Sequence, residues 1–398
     1  MANRPVSQTL RALIANISLI ATSVALTLGG VELYLRMTRN LPDFYYNFTY
    51  QPRLREKLYR YLFPTSYRGD KEALRKFVEG LEDRKQFDAQ LGWDLDPKQG
   101  RMRQPTIAVQ RPPLESGQRH TRVLFLGDSF TFGADVKPLE SYPAYTGRLL
   151  GVEAPNMAVS GYGIDQAILK YHYHGAKLEP DLVVLGVYSS DYMRAALAFS
   201  AYAKPKVTYN PIREMLEVHD EHIRLPQEQL RILKREARWT SYVVAFFETA
   251  LARLFETDDD RQAHLMKMDR VVFELLAKLK ADLEQRGVKL LIVQIPNATA
   301  YATVPNWERA LVAPIRQHLL KIYEELDIPY IDVMREFLRF ASFQELYQHY
   351  YVKLPNGKRG HLSPRGNQHV AMLIAELLCK PDFNSDAWPM PLACDDLL

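Results

Sequence analysis

The stretch of sequence that decides the fold is RVLFLGDS, residues 122–129. A short apolar run ends in a Gly-Asp-Ser turn, which is typical of a buried parallel strand that leads into a helix. A serine at such a turn presents its hydroxyl beside the backbone N–H groups of the helix N-terminus, where an anionic intermediate is stabilised. The stretch therefore predicts a parallel α/β sheet and a candidate nucleophile, Ser129.

Short apolar runs of the same kind recur along the chain. They are NMAV (156–159), DLVVLGVY (181–188), VKLLIVQI (288–295) and IPYIDV (328–333). Segments with helical periodicity lie at 165–176, 264–286, 307–326 and, after the last run, 364–379. Strands that alternate with helices in this way predict a parallel five-stranded sheet with helices on both of its faces.

The remaining segments are organised around this α/β domain, which we place at residues 121–380. About a hundred residues separate the third and fourth strands, far more than an ordinary crossover needs, so we predict a helical insertion at 192–263. The other predicted segments are an N-terminal tail (1–11), a transmembrane anchor (12–35), a juxtamembrane segment (36–120) and a C-terminal tail (381–398).

The anchor is predicted from residues 12–31, twenty consecutive positions without a charge. A helix of this length spans roughly 30 Å, the thickness of the hydrocarbon core of a bilayer. A cleaved signal peptide is the competing interpretation, but the apolar run is long and no small-residue cleavage site follows it. Arg4 and Arg11 before the span balance Arg36 and Arg39 after it, so the charge rule leaves the orientation open.

The composition gives no indication of nucleic-acid binding or of a metal centre. The formal net charge is +4 and is dispersed, and the Cys and His residues lack the spacing of a zinc site. We therefore expect no nucleic-acid partner, no metal and no cofactor. The two cysteines, Cys379 and Cys394, either close a small disulfide loop or stay unpaired, and their spacing leaves both possibilities open.

Polar or small residues lie just beyond the ends of the predicted strands. They are Ser129, Gly161, Ser190, Asp191 and His361. Ligands of open α/β sheets bind beyond the carboxyl ends of the strands, so these positions are expected to meet at one edge. There, His361 would accept and return the serine proton. The N–H of Gly161 and the hydroxyl of Ser190 would donate hydrogen bonds to an oxyanion.

The chain resembles the SGNH (GDSL-type) hydrolases, in particular their bacterial membrane-anchored members. The resemblance is carried by VLFLGDSFTFG (123–133), NMAVSGYGIDQ (156–166), PDLVVLGVYSSD (180–191) and HLSPRGN (361–367). It implies a flavodoxin-like three-layer α/β/α sandwich. It also implies that Ser129 is the nucleophile, that His361 is the base, and that the N–H groups of Ser129 and Gly161 form part of the oxyanion hole.

Two positions depart from the pattern of that family. Ser190 occurs where the family usually has the asparagine that completes the oxyanion hole, and Lys358 replaces the aspartate three residues before His361. A lysine cannot accept the imidazole N–H. The alternatives are that Asp191, Asp332 or a backbone carbonyl orients His361, that a Ser–His dyad works alone, or that the site is degenerate.

The function predicted from the sequence is that of a membrane-anchored serine esterase or O-acyl transferase. By resemblance, its substrate would be an acylated carbohydrate or a related small molecule, and its domain would face the periplasm or the cell exterior from the inner membrane. Two alternatives stay open. One is a noncatalytic membrane-tethered binding protein, indicated by Ser190 and Lys358. The other is a lipolytic esterase that contacts the bilayer through the aromatic-rich residues 227–255.

Overall fold

The computed structural model describes residues 8–38, 79–80, 86–95, 119–195, 203–220, 223, 225–228, 243, 258–301, 307–355, 357–381, 383 and 392–394. The chain divides into two compact units. The first comprises Met1–Val78 and Gln227–Arg261, and the second comprises Glu79–Pro226 and Gln262–Leu398. The second unit contains the α/β domain, for which the predicted bounds of 121–380 stay a prediction.

The central element of the second unit is a parallel sheet. The strands of the described residues are β1 (Phe87–Asp88), β2 (Gly92–Trp93), β3 (Val123–Leu126), β4 (Leu182–Tyr188), β5 (Lys206–Asn210), β6 (Met215–His219), β7 (Lys289–Ile295), β8 (Tyr330–Asp332), β9 (Tyr351–Lys353) and β10 (Arg359–Leu362). Four of them form the sheet, in the order β3-β4-β7-β8. All of its pairs are parallel, as in Leu124↔Val183 and Val293↔Ile331. The first, third, fourth and fifth predicted strands are thus confirmed.

The second predicted strand, residues 156–159, is wrong as a strand. This segment reaches the edge of the sheet only through isolated parallel bridges, including Phe125↔Asn156. The Asn156 side chain accepts a hydrogen bond from the Ala158 N–H and donates one to the Thr131 carbonyl. The backbone nevertheless runs alongside β3, because the N–H groups of Met157 and Val159 donate to the carbonyls of Phe125 and Gly127. The segment still lies beside β3 at the sheet edge, so the order of the predicted strands is the flavodoxin-like 2-1-3-4-5.

Helices cover both faces of the sheet. The helices among the described residues, including α1 of the first unit, are α1 (Gln8–Thr38), α2 (Ser129–Phe132), α3 (Tyr142–Leu150), α4 (Ile164–Tyr173), α5 (Ser189–Ala195), α6 (Asp258–Glu284), α7 (Trp307–Glu325), α8 (Val333–Phe337), α9 (Phe343–His349) and α10 (Pro364–Leu378). Short 3-10 turns occur at Pro138–Glu140, Gly175–Leu178 and Ala298–Tyr301.

The two faces of the sheet carry different helices. One face forms a continuous core in which Phe125 and Val184 pack with α3 and α10, which contribute Tyr142 and Ile374. On the other face, the His172 ring of α4 lies 3.7 Å from the Asp282 carboxylate of α6. The Tyr323 hydroxyl of α7 donates to Gln294 of β7 on that face, at 2.8 Å. The architecture is therefore the predicted three-layer α/β/α sandwich.

Helix α1 contains a segment that is long and apolar enough to cross a membrane. The segment is Leu10–Tyr34, with 25 residues, a mean hydropathy of 1.8 and no buried residues. It includes most of the anchor predicted at 12–35. The assignment rests on length and composition alone.

The insertion between β4 and β7 was predicted to be helical, but part of it is a β-hairpin. Residues 206–219 form the antiparallel hairpin β5–β6. Its apolar residues alternate with polar ones, so Val207 pairs with Val218 while Thr208 pairs with Glu217, and this period of two is that of a strand. Of the aromatic-rich segment 227–255, only residues 227, 228 and 243 belong to the described residues.

The two cysteines form a disulfide bond, which decides between the two alternatives left by the sequence. Cys379 and Cys394 have their Cα atoms 5.6 Å apart, and both side chains are buried in the core beside α3 and α10. The N–H of Ala393 donates to the carbonyl of Leu150 at the end of α3. The disulfide and this hydrogen bond therefore fix residues 392–394 against the α/β domain.

Candidate active site

Ser129 is the first residue of α2, and only Gly127 and Asp128 separate it from the carboxyl end of β3. The Asp128 carboxylate caps this helix, because its Oδ1 accepts the Phe130 N–H at 2.9 Å. Gly127 has a φ of 145°, and a Cβ at this position would lie 2.3 Å from Thr131 Oγ1 and 2.6 Å from the Gly186 carbonyl oxygen. The turn thus requires a glycine two residues before the serine, and it fixes Ser129 at the edge of the sheet.

A chain of hydrogen bonds connects Ser129 to a carboxylate through one imidazole. The Nε2 atom of His361 lies 2.8 Å from Ser129 Oγ. The Nδ1 atom of the same ring lies 2.8 Å from Asp135 Oδ2. Because a carboxylate only accepts hydrogen bonds, it holds the imidazole proton on Nδ1 and leaves Nε2 to accept the serine proton. The geometry is that of a Ser–His–Asp triad.

Asp135 is held in place by two hydrogen bonds from His361 to the same carboxylate oxygen. Its Oδ2 atom accepts the backbone N–H of His361 at 2.9 Å in addition to the imidazole N–H. Partial burial opposes ionisation of this carboxyl, but the two hydrogen bonds from His361 outweigh it and lower its pKa below the usual value of 3.8. Asp135 is therefore a carboxylate at neutral pH, as the orienting acid of a triad must be.

Gly360 makes the approach of Asp135 possible. A Cβ atom at this position would lie 2.3 Å from Asp135 Oδ2. Only a residue without a side chain lets the carboxylate reach the N–H of the following residue, His361. The contact between Asp135 and His361 thus depends on two segments that are remote in sequence, the loop after α2 and the strand β10.

Aromatic packing restricts the orientation of the imidazole. The Phe130 ring meets the His361 ring edge-on, with the centroids 4.8 Å apart. The Tyr188 ring packs on Phe130 at 5.1 Å, and the Tyr188 hydroxyl accepts a hydrogen bond from Asn297 at 2.9 Å. These contacts come from the ends of β4 and β7, so the sheet itself positions the base.

The prediction that Asp191 or Asp332 orients His361 is wrong, because the structure places both carboxylates in other contacts. Asp191 caps the end of β4, accepting the Tyr188 N–H at 2.8 Å and the guanidinium of Arg194 at 2.7 Å. Asp332 forms an ion pair with Arg316 across two nitrogen atoms. Burial, followed by the nearby Asp128 carboxylate, raises the pKa of Asp191 well above 3.8.

Gly161 lies in a loop that residues outside the predicted domain support. It has a φ of 86°, which favours glycine. The Trp93 indole N–H donates to the Ser160 carbonyl at 3.1 Å, and the Tyr162 hydroxyl donates to the Trp93 carbonyl at 2.5 Å. Ser190 is buried in the first turn of α5, directly after β4. Gly161 and Ser190 as oxyanion donors stay predictions.

One cluster outside the triad has the composition of a metal site. The ligand atoms of Asp88, Asp94 and His174 lie within 4.8 Å of one another. However, the Lys170 ammonium already forms a fully buried ion pair with Asp94, and Asp88 accepts two backbone N–H groups from residues 90 and 91. Because its charge is balanced in this way, we assign the cluster a structural role.

Sequence reasoning missed Asp135, Gly360 and Trp93. The family pattern places the orienting aspartate three residues before the histidine, and in this chain that position is Lys358. The available signal was weak: an aspartate six residues after the serine, together with a glycine immediately before the histidine. Neither feature indicates a contact before the loops are placed in space.

The chain is similar to a known protein family and to several solved structures. Residues 125–369 match the model of the GDSL-like Lipase/Acylhydrolase family. No curated protein sequence matches the chain significantly. Similar solved structures include TesA (11% identity, 65% of this chain and 98% of that one, TM-score 0.36). They also include Axe2, an acetylxylan esterase from Geobacillus stearothermophilus (14%, 67% and 95%, 0.34), and LAE5, an α/β hydrolase from the metagenome of Lake Arreo, Spain (13%, 68% and 99%, 0.37).

The family match covers more than half of the 398 residues and includes both Ser129 and His361. An ester-hydrolysing serine hydrolase needs a nucleophile activated by a base, and the described residues provide one at the carboxyl edge of the parallel sheet. The chain belongs to the GDSL-like Lipase/Acylhydrolase family.

Proposed function

We propose that this chain is a membrane-anchored serine esterase that removes ester-linked acyl groups from acylated carbohydrates, with Ser129, His361 and Asp135 as its catalytic triad. The observation that carries the proposal is the unbroken hydrogen-bond chain from Ser129 Oγ through His361 to Asp135, with both distances at 2.8 Å. Catalytic geometry of this kind identifies a serine hydrolase independently of the fold that holds it.

The first half of the reaction forms an acyl-enzyme. As Ser129 Oγ attacks the ester carbonyl, its proton passes to His361 Nε2, and Asp135 stabilises the imidazolium that results. The carbonyl oxygen becomes an oxyanion, which the N–H groups of Ser129 and Gly161 are proposed to bind, with Ser190 as a further donor. His361 then returns the proton to the alcohol oxygen of the leaving group.

The second half resolves the acyl-enzyme. A water molecule, or in an O-acyl transferase the hydroxyl of an acceptor, gives its proton to His361 and attacks the acyl carbon. The bond between that carbon and Ser129 Oγ then breaks, and His361 returns the proton to Ser129 as the acid or the acylated acceptor leaves. The His361 and Asp135 side chains are 28% and 26% exposed. This access to solvent supports hydrolysis as the principal reaction.

The proposed location is the extracytoplasmic face of the inner membrane. Helix α1 supports the anchor because it has the length and composition of a single span. The disulfide between Cys379 and Cys394 supports an oxidising compartment, such as the periplasm, since cytosolic thiols are kept reduced. The resemblance to membrane-anchored SGNH hydrolases supports an acylated carbohydrate as the substrate.

The contacts of Asp135 weaken the noncatalytic alternative. That alternative depended on Ser190 and on Lys358 in place of the usual aspartate. A carboxylate from another loop binds the imidazole Nδ1, which removes the argument from Lys358. The lipolytic alternative depended on residues 227–255, most of which lie outside the described residues. The esterase is therefore the function that we carry forward.

Active-site labelling tests the proposal. The full-length chain in detergent micelles is treated with a fluorophosphonate probe, alongside Ser129→Ala, Asp135→Asn and the control Ser342→Ala, which removes the N-cap hydroxyl of α9. We expect labelling of the wild type and of the control, none of Ser129→Ala, and labelling slowed by about 10²-fold or more for Asp135→Asn. A folded wild type that stays unlabelled would refute the proposal.

Substrate preference is then measured on the labelled protein. An acetylated xylo-oligosaccharide is compared with a long-chain fatty acyl ester, each with and without an added sugar acceptor. We expect release of acetate from the oligosaccharide. Activity restricted to the long-chain ester would support the lipolytic alternative instead, and an acylated acceptor would identify the transferase.

A further inference from the structure

One guanidinium contacts all three segments from which the oxyanion hole is proposed to be built. The Nη1 atom of Arg194 lies 3.0 Å from the carbonyl oxygen of Tyr162, 2.7 Å from Asp191 Oδ1 and 3.4 Å from Asp128 Oδ2. Arg194 belongs to α5, whereas Asp128 precedes α2 and Tyr162 precedes α4. A single side chain thus joins three elements that lie far apart in sequence.

Each contacted residue is the chain neighbour of a proposed oxyanion donor. Asp128 immediately precedes Ser129, Tyr162 immediately follows Gly161, and Asp191 immediately follows Ser190. The position of an N–H group is fixed by the peptide units on either side of it. A bond to the neighbouring residue therefore limits how far each donor can move relative to the other two.

The contacts are formed in a nearly dry environment, where they are strong. The side chains of Asp128 and Asp191 are 2% and 3% exposed, and that of Arg194 is 18% exposed. The guanidinium is the cation of these contacts, and it interacts with both carboxyls. Because Nη1 carries two hydrogens, the Tyr162 carbonyl and the Asp191 carboxyl are its hydrogen-bond acceptors, and the longer contact with Asp128 is electrostatic.

We propose that Arg194 is a positioning residue for the oxyanion hole, which holds the segments of Ser129, Gly161 and Ser190 in register. This inference rests on the proposed esterase function and deepens it. Ser190 replaces the longer asparagine that the family resemblance leads one to expect, so the hole depends more heavily on the backbone donors. Their placement relative to Ser129 is the property that Arg194 controls.

Loss of Arg194 would act on the transition state rather than on substrate binding. The Tyr162 carbonyl would lose its anchor, and the charge balance of Asp128, directly beside the nucleophile, would be disturbed. Both effects oppose a negative charge that develops only as the ester carbonyl is attacked. A kcat that falls while KM stays nearly constant is the expected signature.

The test compares Arg194→Met and Arg194→Lys with a matched control, Arg122→Met, in the full-length protein in detergent. Arg122 is similarly buried, at 25% exposure, and likewise binds a carboxylate (Glu153, 2.7 Å) and a carbonyl (Leu178). It lies at the opposite, amino-terminal end of β3. The control therefore reproduces the loss of a partly buried arginine without disturbing the active site.

The readouts are kcat and KM for p-nitrophenyl acetate, the rate of fluorophosphonate labelling, and the unfolding midpoint. We expect Arg194→Met to lower kcat and the labelling rate by about 10²-fold with KM within about threefold of the wild type. Arg194→Lys should fall in between, at about tenfold, and Arg122→Met should keep kcat within about twofold. If Arg194→Met fails to fold, the Arg194→Lys comparison carries the test.

Two outcomes overturn the inference and are distinguishable. If the wild type hydrolyses the ester but both Arg194 variants keep kcat within about threefold, or lose no more than Arg122→Met, then Arg194 has only a structural role. If the folded wild type shows neither hydrolysis nor labelling, the proposed function fails, and the inference fails with it.

Discussion

Replacement of Gly360 by alanine is expected to disconnect the triad without changing any of its three members. A Cβ at this position would lie 2.3 Å from Asp135 Oδ2, whereas ordinary contacts begin at 3.4 Å. Gly360 is not among the residues with a positive φ, so alanine can adopt its backbone conformation. The nearest other atom is Leu354 Cδ2 at 3.1 Å, the end of a flexible side chain. The perturbation is therefore directed at the carboxylate.

The size of the effect follows from the distances. To move from 2.3 to 3.4 Å, the carboxylate oxygen must retreat by 1.1 Å from β10. Both hydrogen-bond donors, the backbone N–H and Nδ1 of His361, lie on that strand at 2.9 and 2.8 Å. A retreat of this size takes both bonds to about 3.5 Å or more, where little hydrogen bonding remains. Loss of the orienting acid should lower kcat by about 10²–10⁴-fold, or about 3–5 kcal/mol of transition-state stabilisation.

The assay is a double-mutant cycle on kcat with Gly360→Ala, Asp135→Asn and the double variant. Because both changes break the same contact, the double variant should lose no more than Asp135→Asn alone. Gly147→Ala is the control, since its Cβ would also meet a side-chain atom (Ala154 Cβ, 2.9 Å), but in α3. It should lower stability while kcat stays within about twofold. A Gly360→Ala variant with kcat within about threefold of the wild type, or fully additive losses, would refute the reasoning.

Three further predictions follow from buried contacts. Asp191 has a raised pKa in the folded state, so its carboxyl stays protonated on folding at pH values where it would ionise in the unfolded chain. The free energy of unfolding of the wild type should therefore fall as pH rises above about 3.9, by up to about 1.4 kcal/mol per pH unit, until the folded group ionises. Asp191→Asn should lack this fall, and urea unfolding at about pH 5 and about pH 7 measures it; parallel slopes would contradict the assignment. Replacing Cys379 and Cys394 together by serine should lower the free energy of unfolding by about 3 kcal/mol, the value expected for a disulfide loop with a sequence separation of 15. An unfolding curve that a reductant leaves unchanged would argue against this. Trp93→Phe removes the N–H bound to Ser160 and should lower kcat about tenfold at constant KM; a change in KM alone would place Trp93 in substrate binding instead.

Much of the fold could be predicted because its signals are local. The apolar runs that became strands are buried along most of their length, and Leu182–Tyr188 is buried throughout, so such runs are visible without knowledge of their partners. The run at 156–159 failed for a reason that is not local. Its asparagine side chain bonds to Thr131, a residue of another element, and the run pairs with β3 only through an isolated bridge and a few backbone hydrogen bonds.

The candidate site was predictable only in part. Ser129 was found because a parallel sheet brings the residues after its strand ends to one edge. His361 lies in β10, outside that sheet, and was found from its position between the last predicted strand and the last helix. Asp135 lies in a loop, beyond a helix that ends at Gly133 with a φ of 73°. The direction of a chain after a left-handed cap is set by tertiary contacts, and composition does not reveal it.

The position of the acid also explains how Lys358 is tolerated. An orienting carboxylate must reach His361 Nδ1, but nothing requires it to come from the strand that carries the histidine. Here the acid and the nucleophile both follow β3, six residues apart, so one segment carries two members of the triad. An aspartate at position 358 would then have no vacant imidazole nitrogen to bind. The departure from the family pattern is thus a relocation of the acid, and its correlate in sequence is the pair of Asp135 with Gly360.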